Sequence, residues 1–366
     1  MSVLLVSNYS FLSLAVTRCL GGAGLAVHVM GPDAWPTVRF SRHCVRYTQL
    51  PLDWFRPPYE AAFERIQSYC REHEIEAVVP ADLDAHLLVS SVKERLSGVK
   101  IFPVPSPERL QQMHDKWEFA KFCMENGIPH PATKRIDSLD QLDQLDWSKP
   151  LMIKPILGAN SEGVVKLTSR EELDKEISTH NRQPPFLMQE FSPGIDIDMS
   201  ILGDNGRLVA WTIQVGEGDP QAREFLRNDA VYEVGRAIVE KSKYTGVAHF
   251  DLRLSPEGEA RVLECNPRFW LSCPFSMWAG VNFAELGMKL ARGEDPSRLT
   301  SQMIEGTCRR PSLGLRSLAN GVLQPNQMTL SSRRAFWHMY GDPAPQLMAK
   351  VFSAAKRVGL TSVERY

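Results

Sequence analysis

Two acidic residues, Asp251 and Glu264, occupy positions that would bring their carboxylates side by side. Residues 247–254 and 260–266 both alternate with a period of two, and residues 255–259 between them are typical of a turn. The pattern predicts a β-hairpin in which Asp251 lies opposite Glu264. Carboxylates in opposite positions have Cβ atoms about 5 Å apart and repel each other, so a compensating charge is expected. A divalent cation would supply that charge, because hard cations favour carboxylate and amide oxygens.

The same hairpin sorts its residues into two faces. A turn centred on Glu257 and Gly258 predicts that His249 lies opposite Asn266. The predicted polar face carries His249, Asp251, Arg253, Glu264 and Asn266. The predicted apolar face carries Phe250, Leu252, Leu254, Leu263 and Cys265. In the alternative interpretation, Arg253 neutralises one acid as an ordinary surface ion pair, and one extra residue in the turn would exchange the two faces.

The residues that end the hairpin carry a resemblance to a known family. Residues 264–268 read Glu-Cys-Asn-Pro-Arg, and Asp251 precedes the Glu by thirteen positions. This arrangement resembles the metal-binding core of the ATP-grasp superfamily, which includes D-alanine:D-alanine ligases, biotin carboxylases and the large subunit of carbamoyl phosphate synthetase. The resemblance covers approximately residues 1–294.

The resemblance implies a role for each polar residue of the hairpin region. Asp251, Glu264 and Asn266 would bind Mg²⁺ or Mn²⁺, and Arg268 would act catalytically by stabilising the transferred phosphoryl group. Residues 269–273 would form the wall of the acceptor site. They begin Phe-Trp-Leu, where many relatives have small residues. The alternative for these aromatic residues is a place in the core.

Two lysines and a glycine-flanked loop precede the hairpin. A helix is predicted over residues 107–126 and carries Lys116, while a strand over residues 151–155 carries Lys154. By resemblance, Lys116 contacts the α-phosphate of ATP, and Lys154 contacts the triphosphate as a second catalytic residue. The loop after Lys154 resembles the flexible phosphate lid of the family, with Gly158, Ser161 and Gly163 as binding residues. Without the resemblance, both lysines would be read as solvated and the loop as a plain hairpin turn.

The adenine and ribose contacts are likewise implied by the resemblance. Gln189 or Glu190 would meet the adenine amino group, and Phe191 would use its backbone. Asp196 would bind the ribose hydroxyls, although Asp198 competes for that role and the family often has Glu at this place. Glu190 could instead be a charge on an edge strand.

Strands alternate with helices over the first hundred residues, which predicts a parallel sheet. The first strand is not followed by a Gly-x-Gly-x-x-Gly turn, and this disfavours a nicotinamide dehydrogenase. Ser7, Asn8, Asp82 and Asp84 follow two of the strands, where they could bind an amine or hydroxyl of a substrate. The preferred interpretation is that Ser7 or Ser10 and Asp82 cap the following helices.

Composition limits the partners. The chain has 366 residues, a formal charge of −1, 43% hydrophobic and 23% charged residues, which is ordinary globular usage without a basic footprint for nucleic acid or anionic membranes. Seven scattered cysteines form no C-x-x-C pair and suggest a reducing compartment. No apolar run reaches membrane-spanning length. A soluble, cytoplasmic protein with neither nucleic-acid nor membrane partners is expected.

The sequence therefore predicts an α/β parallel-sheet domain at residues 1–105, followed by an α+β ATP-grasp fold of two subdomains, 106–187 and 188–295. Residues 296–366 are expected to be a helical extension that packs on the core or forms a homo-oligomer surface. The predicted function is that of an ATP-dependent carboxylate–amine ligase with small-molecule substrates, which forms an acyl phosphate and releases ADP and phosphate. The alternatives are a bicarbonate-activating enzyme and a non-catalytic ATP-binding module.

Overall fold

The computed structural model describes residues 1–158, 162–216, 218–299 and 301–357. Within these ranges the chain forms a parallel sheet followed by two antiparallel sheets, with helices packed on their faces. The predicted fold class is therefore confirmed.

The N-terminal sheet alternates with helices along the chain. Its elements are β1 (Ser2–Val6), α1 (Ser10–Gly22), β2 (Ala26–Gly31), β3 (Cys44–Gln49), α2 (Glu60–Glu72), β4 (Ala77–Pro80), α3 (Leu83–Val92) and β5 (Lys100–Ile101). The strands are parallel in the order β3-β2-β1-β4-β5. β1 and β4 are buried almost throughout, because helices cover both faces of the sheet.

The smaller antiparallel sheet follows two consecutive helices. The elements of this region are α4 (Pro107–His114), α5 (Lys116–Glu125), β6 (Thr133–Ile136), β7 (Leu151–Pro155), β8 (Val165–Leu167), α6 (Arg170–His180) and β9 (Phe186–Glu190). The strand order is β6-β9-β7-β8. The predicted subdomain boundary at residue 187 falls inside β9, whose residues all belong to this sheet.

The single helix predicted over residues 107–126 is wrong, because the chain turns at Asp115. Its backbone is extended, and its carboxylate accepts hydrogen bonds from the backbone N–H groups of Trp117 and Glu118. Asp115 is thus the N-cap of a new helix, and Lys116 is the first residue of α5. The break directs Lys116 away from the path of α4.

The larger sheet carries Asp196 and the three predicted metal ligands, Asp251, Glu264 and Asn266. Its first elements are β10 (Ile195–Asp204), β11 (Arg207–Val215), β12 (Ala222–Phe225), α7 (Asp229–Ser242), β13 (Gly246–Leu254) and β14 (Ala260–Asn266). The remaining elements are α8 (Cys273–Trp278), α9 (Phe283–Ala291), β15 (Gly306–Arg309), α10 (Leu315–Leu323), α11 (Leu330–Gly341) and α12 (Ala344–Arg357). The antiparallel strand order is β14-β13-β10-β11-β12-β15. Single-turn 3₁₀ helices occur at Thr37–Phe40, Leu52–Phe55, Leu139–Gln144, Pro296–Arg298 and Pro325–Gln327.

One face of the larger sheet is held by a hydrophobic core. Ile197, Met199 and Ile201 of β10 are buried against α7, which contributes Val231 and Ile238. Because side chains alternate along a strand, the intervening residues of β10 point to the opposite face. The core thus fixes which face of the sheet carries polar side chains.

Residues 296–357 are not wholly helical, in contrast to the prediction. The strand β15 pairs with β12, and it is too short to give a sequence signal. The Thr329 hydroxyl donates to the Thr307 carbonyl oxygen at 2.7 Å, and the Arg309 N–H donates to Ser332 Oγ at 2.9 Å. This region packs on the core, which was one of the two alternatives, and no helix in the described ranges could span a membrane.

Close packing joins α9 to the N-terminal part of the chain. A Cβ atom at Gly287 would overlap the fully buried ring of Phe102, so the helix can approach only because this residue is glycine. Phe102 also contacts Phe269, with ring centroids 5.4 Å apart.

We expect Gly287→Ala to lower the free energy of unfolding by about 1–3 kcal/mol, the usual cost of overpacking, even though alanine favours helices. Chemical denaturation of both proteins measures this. Gly341→Ala is the matched control, since its nearest neighbour beyond the helix is the flexible Arg42 side chain at 3.5 Å. An equal effect of the two substitutions would contradict the packing described.

Candidate active site

The hairpin register agrees with the prediction at the acidic pair and differs beyond it. Asp251 lies opposite Glu264, and His249 lies opposite Asn266. A β-bulge after Asp251 then shifts the pairing by one residue, so that Leu252 opposes Val262. An extra residue reverses the faces that follow it.

The predicted position of Leu263 on the apolar face is therefore wrong. Val262 is fully buried in the core instead, whereas Leu263 lines a cavity on the polar face. The alternative role of Arg253 is also not observed, because its Nη1 lies 2.7 Å from Asp196 Oδ1.

A cavity of about 410 Å³ lies between the two antiparallel sheets. It is lined by Lys116, Met152, Lys154, Gly158, Glu162, Val164, Gln189, Glu190, Phe191, Ser192, Asp196, Asp198, His249, Asp251, Leu252, Arg253, Leu263 and Glu264. The predicted site residues among them are Lys116, Lys154, Gly158, Gln189, Glu190, Phe191, Asp196, Asp251 and Glu264. Residues that the sequence placed far apart thus converge on one space.

Among the described residues, three that were predicted for the site are not in the cavity lining, namely Gly163, Asn266 and Arg268. Asn266 lies behind Asp251, with its Nδ2 3.4 Å from Asp251 Oδ2, and its Oδ1 accepts a hydrogen bond from Arg268 at 3.0 Å. The carbonyl oxygen of Gly163 accepts a hydrogen bond from Arg182 at 2.8 Å. The predicted contact of Ser161 lies outside the described residues.

The opposed carboxylates Asp251 and Glu264 share a hydrogen bond. Burial, together with the nearby charges of Glu264 and Asp198, raises the pKa of Asp251 well above its usual 3.8. Burial disfavours ionisation of Glu264 too, but the hydrogen bond from Asp251 and the charge of Lys116 outweigh it and lower the pKa of Glu264. The pair therefore holds one proton between two acceptor groups. A cation that displaces this proton would find two hard oxygen donors facing it.

Both predicted lysines approach this pair. Lys116 Nζ lies 3.3 Å from Glu264 Oε2 and donates to the Gly158 carbonyl oxygen at 2.7 Å. Lys154 is buried on β7, and its Nζ donates to Gln189 Oε1 at 2.6 Å. Burial lowers the pKa of Lys154 to about 8, although the charge of Glu264 opposes the shift. A buried ammonium group with one neutral partner is well placed to receive an anion.

The residues predicted to contact adenine already have partners. The side-chain oxygen of Gln189 accepts from Lys154, and its Nε2 donates to Thr133 Oγ1 at 2.9 Å. Glu190 Oε1 lies 2.6 Å from Lys149 Nζ, and the Phe191 N–H donates to the Pro150 carbonyl oxygen. An incoming base would have to use the remaining oxygen of Glu190 or the carbonyl oxygen of Phe191.

The preferred interpretation of the polar residues at the end of the parallel sheet, that they cap helices, is confirmed for Asp82 but not for Ser7 or Ser10. Asp82 accepts from the Ala85 N–H at 3.0 Å and is the N-cap of α3. Neither Ser7 nor Ser10 caps α1, because Tyr9 is the N-cap there and Ser7 Oγ donates to Asp82 Oδ2 instead. The substrate-binding alternative for these residues stays a prediction.

Beyond the acidic pair, the aromatic wall is largely core. Phe269 and Trp270 are buried, while Leu271 is exposed. Trp270 stacks on the imidazole of His249 with ring centroids 5.2 Å apart and an interplanar angle of 9°. His249 was placed on the polar face without a role. Its position could be found from the strand pattern, but its contacts could not, because Trp270 lies beyond the hairpin.

Comparison with known proteins finds similarity in the part of the chain that contains the cavity-lining residues. The family model of the ATP-grasp domain matches residues 113–272. D-aspartate ligase of Enterococcus faecium (strain Aus0004) is 27% identical over 230 aligned positions, and the match covers 54% of each chain. The chain thus spans about half the length of this curated relative.

Solved structures of two other proteins share the fold over most of the chain. The L-amino acid ligase of Bacillus licheniformis superposes with a TM-score of 0.62 at 17% identity, covering 86% of this chain and 80% of that one. The biotin carboxylase domain of the Hydrogenobacter thermophilus 2-oxoglutarate carboxylase, in complex with MgADP and bicarbonate, gives 0.63 at 15% identity, covering 84% and 74%. Residues 113–272 of the chain are thus an ATP-grasp domain.

Proposed function

We propose that this protein is an ATP-dependent carboxylate–amine ligase that forms an acyl phosphate and releases ADP and phosphate. The observation that carries the proposal is the convergence of Lys116, Lys154 and the Asp251–Glu264 pair on one cavity between two sheets. Its resemblance to D-aspartate ligase over 54% of the chain supports amide formation as the class of reaction.

The acidic pair fits a divalent cation. Asp251 and Glu264 offer carboxylate oxygens and are destabilised by each other's charge, and Mg²⁺ bound there would screen the phosphate charge during phosphoryl transfer. Asn266 would join them through its amide oxygen only after releasing Arg268 and turning its side chain over. That exchange would free the guanidinium of Arg268 to meet the transferred phosphoryl group.

The lysines would hold the triphosphate. Lys116 contacts both Glu264 of the acidic pair and the carbonyl oxygen of Gly158, so it lies between the proposed metal ligands and the loop proposed to bind phosphate. Lys154 would contact them from the buried end of β7. The lid contacts proposed for Gly158, Ser161 and Gly163 would use backbone N–H groups.

The opposite end of the cavity suits a nucleoside. Met152, Val164 and Leu263 offer apolar surface for adenine, and Glu190 and Phe191 offer oxygen acceptors for its amino group. Asp196 would release its ion pair with Arg253 and bind the ribose hydroxyls instead. Asp198 is the weaker candidate for this role, since it faces His249.

The reaction would then proceed in two balanced steps. A carboxylate oxygen of the substrate attacks the γ-phosphorus, the bond from that phosphorus to the bridging oxygen of ADP breaks, and Arg268 stabilises the transferred group. An amine next attacks the acyl carbon, phosphate leaves, and the nitrogen loses a proton. Cytoplasmic location and a homo-oligomer surface stay predictions from the sequence.

Replacing either lysine should weaken ATP binding in the folded protein. Each of Lys116→Met and Lys154→Met removes a charge-assisted contact of roughly 1.5–3 kcal/mol, or about tenfold or more in affinity. Because the pKa of Lys154 is about 8, the ammonium charge is lost above that pH, so wild-type affinity should fall as the pH rises beyond it. The ATP affinity of Lys154→Met should not decrease in this way as the pH rises.

Isothermal titration with ATP across pH 7–9.5 measures both effects. Lys289→Met is the control, since Lys289 pairs with Glu285 on the surface of α9. Unchanged ATP affinity in both site variants would refute the phosphate-binding assignment.

Asp251→Asn should stabilise the metal-free protein at neutral pH while removing its response to Mg²⁺. The raised pKa means that the folded protein keeps a proton on Asp251 that the unfolded chain releases near pH 4. This group therefore reduces stability as the pH rises above about 4, up to its folded pKa. The variant should melt higher than the wild type at pH 7 and equally at pH 3.5.

Thermal melts with and without Mg²⁺-ATP test this prediction. Glu259→Gln, on the exposed turn of the same hairpin, should change neither the pH dependence nor the gain from Mg²⁺-ATP. A lower melting temperature of metal-free Asp251→Asn at pH 7 would favour a structural ion pair instead.

Isotope transfer tests the reaction itself. ATP turnover is measured with a panel of acids and amines, and with bicarbonate in their place. With a productive acid labelled with ¹⁸O in its carboxylate, the released phosphate should carry one labelled oxygen, and the nucleotide product should be ADP. Phosphate without label, stoichiometric AMP, or turnover with bicarbonate alone would contradict the proposal. ATP binding without turnover would indicate a non-catalytic module.

A further inference from the structure

Three adjacent strands of the larger sheet carry a grid of polar side chains on one face. The first row consists of Asp198, Asp251 and Glu264, and the second row consists of Ser200, His249 and Asn266. The proposed Mg²⁺ ligands, Asp251, Glu264 and Asn266, occupy the side of the grid that β14 borders. The side that β10 borders adds Asp198 and His249 to Asp251, and the ligase reaction proposed above gives His249 no role.

His249 is held in one orientation on that side. Its ring stacks on Trp270, and its Nδ1 lies 2.9 Å from Ser200 Oγ. Its other nitrogen, Nε2, lies 3.6 Å from Asp251 Oδ1 and 3.8 Å from Asp198 Oδ2. Charge-assisted hydrogen bonds are about 2.7–2.9 Å long, so the imidazole is hydrogen-bonded to neither carboxylate.

These spacings suit three ligands around a common ion. Two ligands of a tetrahedral ion with bonds of about 2.1 Å are roughly 3.4 Å apart, close to the observed separations. The donor atoms of Asp198, His249 and Asp251 all lie within 4.8 Å of one another. Outer contacts also match those of metal ligands, because Ser200 holds the second imidazole nitrogen and Gln214 Nε2 lies 3.3 Å from Asp198 Oδ2.

We propose that Asp198, His249 and Asp251 bind a divalent transition-metal ion such as Zn²⁺ or Co²⁺, beside the Mg²⁺ site and with Asp251 shared between them. An imidazole nitrogen favours such ions, whereas Mg²⁺ prefers oxygen donors alone. The site requires neither ATP nor turnover, so it goes beyond the proposed ligase function and can be tested apart from it.

Calorimetric titration of Zn²⁺ into the full chain, without nucleotide and with excess Mg²⁺, tests the site. Wild-type protein should bind Zn²⁺, and His249→Gln and Asp198→Asn should each weaken the affinity at least tenfold, while Ser200→Ala should weaken it by roughly tenfold through the orientation of the ring. Glu264→Gln leaves the three ligands intact and should change the affinity by less than about threefold.

His73→Ala controls for binding at one of the other pairs of neighbouring histidines, His28 and His73, whose ring centroids lie 5.4 Å apart. Co²⁺ provides a second readout, since its visible absorption on binding should be lost in His249→Gln and kept in His73→Ala. Thermal melts confirm that each variant is folded. If His249→Gln does not fold, the Zn²⁺ affinity of Asp198→Asn tests the site.

Zn²⁺ affinity unchanged by both His249→Gln and Asp198→Asn would overturn the proposal. Equal losses in Glu264→Gln and His249→Gln would also overturn it, because the ion would then occupy the Mg²⁺ position. Zn²⁺ binding with no ligase turnover would refute the proposed function but not the Zn²⁺ site. Ligase turnover in a protein that does not bind Zn²⁺ would refute the Zn²⁺ site but not the proposed function.

Discussion

Three carboxylates in register on neighbouring strands impose the main constraint on this structure. Asp198, Asp251 and Glu264 face the same cavity across strand spacings of about 4.8 Å, so ionisation of all three would place like charges side by side, a repulsion that the proton shared by Asp251 and Glu264 reduces. The strands cannot separate to relieve this repulsion, because the hydrophobic core on the opposite face fixes their positions and their register. The hydrophobic core on the opposite face therefore keeps the three carboxylates together, and the site requires positive charge to balance them.

The surrounding elements supply that charge from separate parts of the chain. The N-cap at Asp115 starts a helix whose first residue, Lys116, reaches Glu264, and β7 of the other sheet delivers the buried Lys154. Behind the row, Arg268 is tied to the Asn266 side chain. Each of the three cationic side chains thus contacts another side chain of the protein, and a ligand could take the place of that contact. Under the proposed function, a nucleotide with its metal would take the place of these partners.

The sequence was sufficient for the fold class and for the register at the acidic pair, because both depend on periodicity and turn chemistry over short distances. It failed where a single residue changed the geometry. The bulge that turns Leu263 toward the cavity and the cap at Asp115 that divides one predicted helix into two have weak local signals. Partners distant in the chain were equally out of reach. Neither the hydrogen bond of Lys154 to Gln189 nor the stacking of His249 on Trp270 follows from any spacing in the sequence.

The contacts of β15 cover one edge of the larger sheet. β15 is one of the two outer strands described for the larger sheet, and an outer strand exposes backbone groups that can recruit a strand from another molecule. Here the hydroxyls of Thr329 and Ser332 bind the outward carbonyl of Thr307 and N–H of Arg309, so the start of α11 blocks that edge. A fragment ending before residue 306 would expose β12 in its place. Shortened variants of the protein should therefore keep residues 306–341, because this segment covers the sheet edge even though it contributes no residue to the cavity lining.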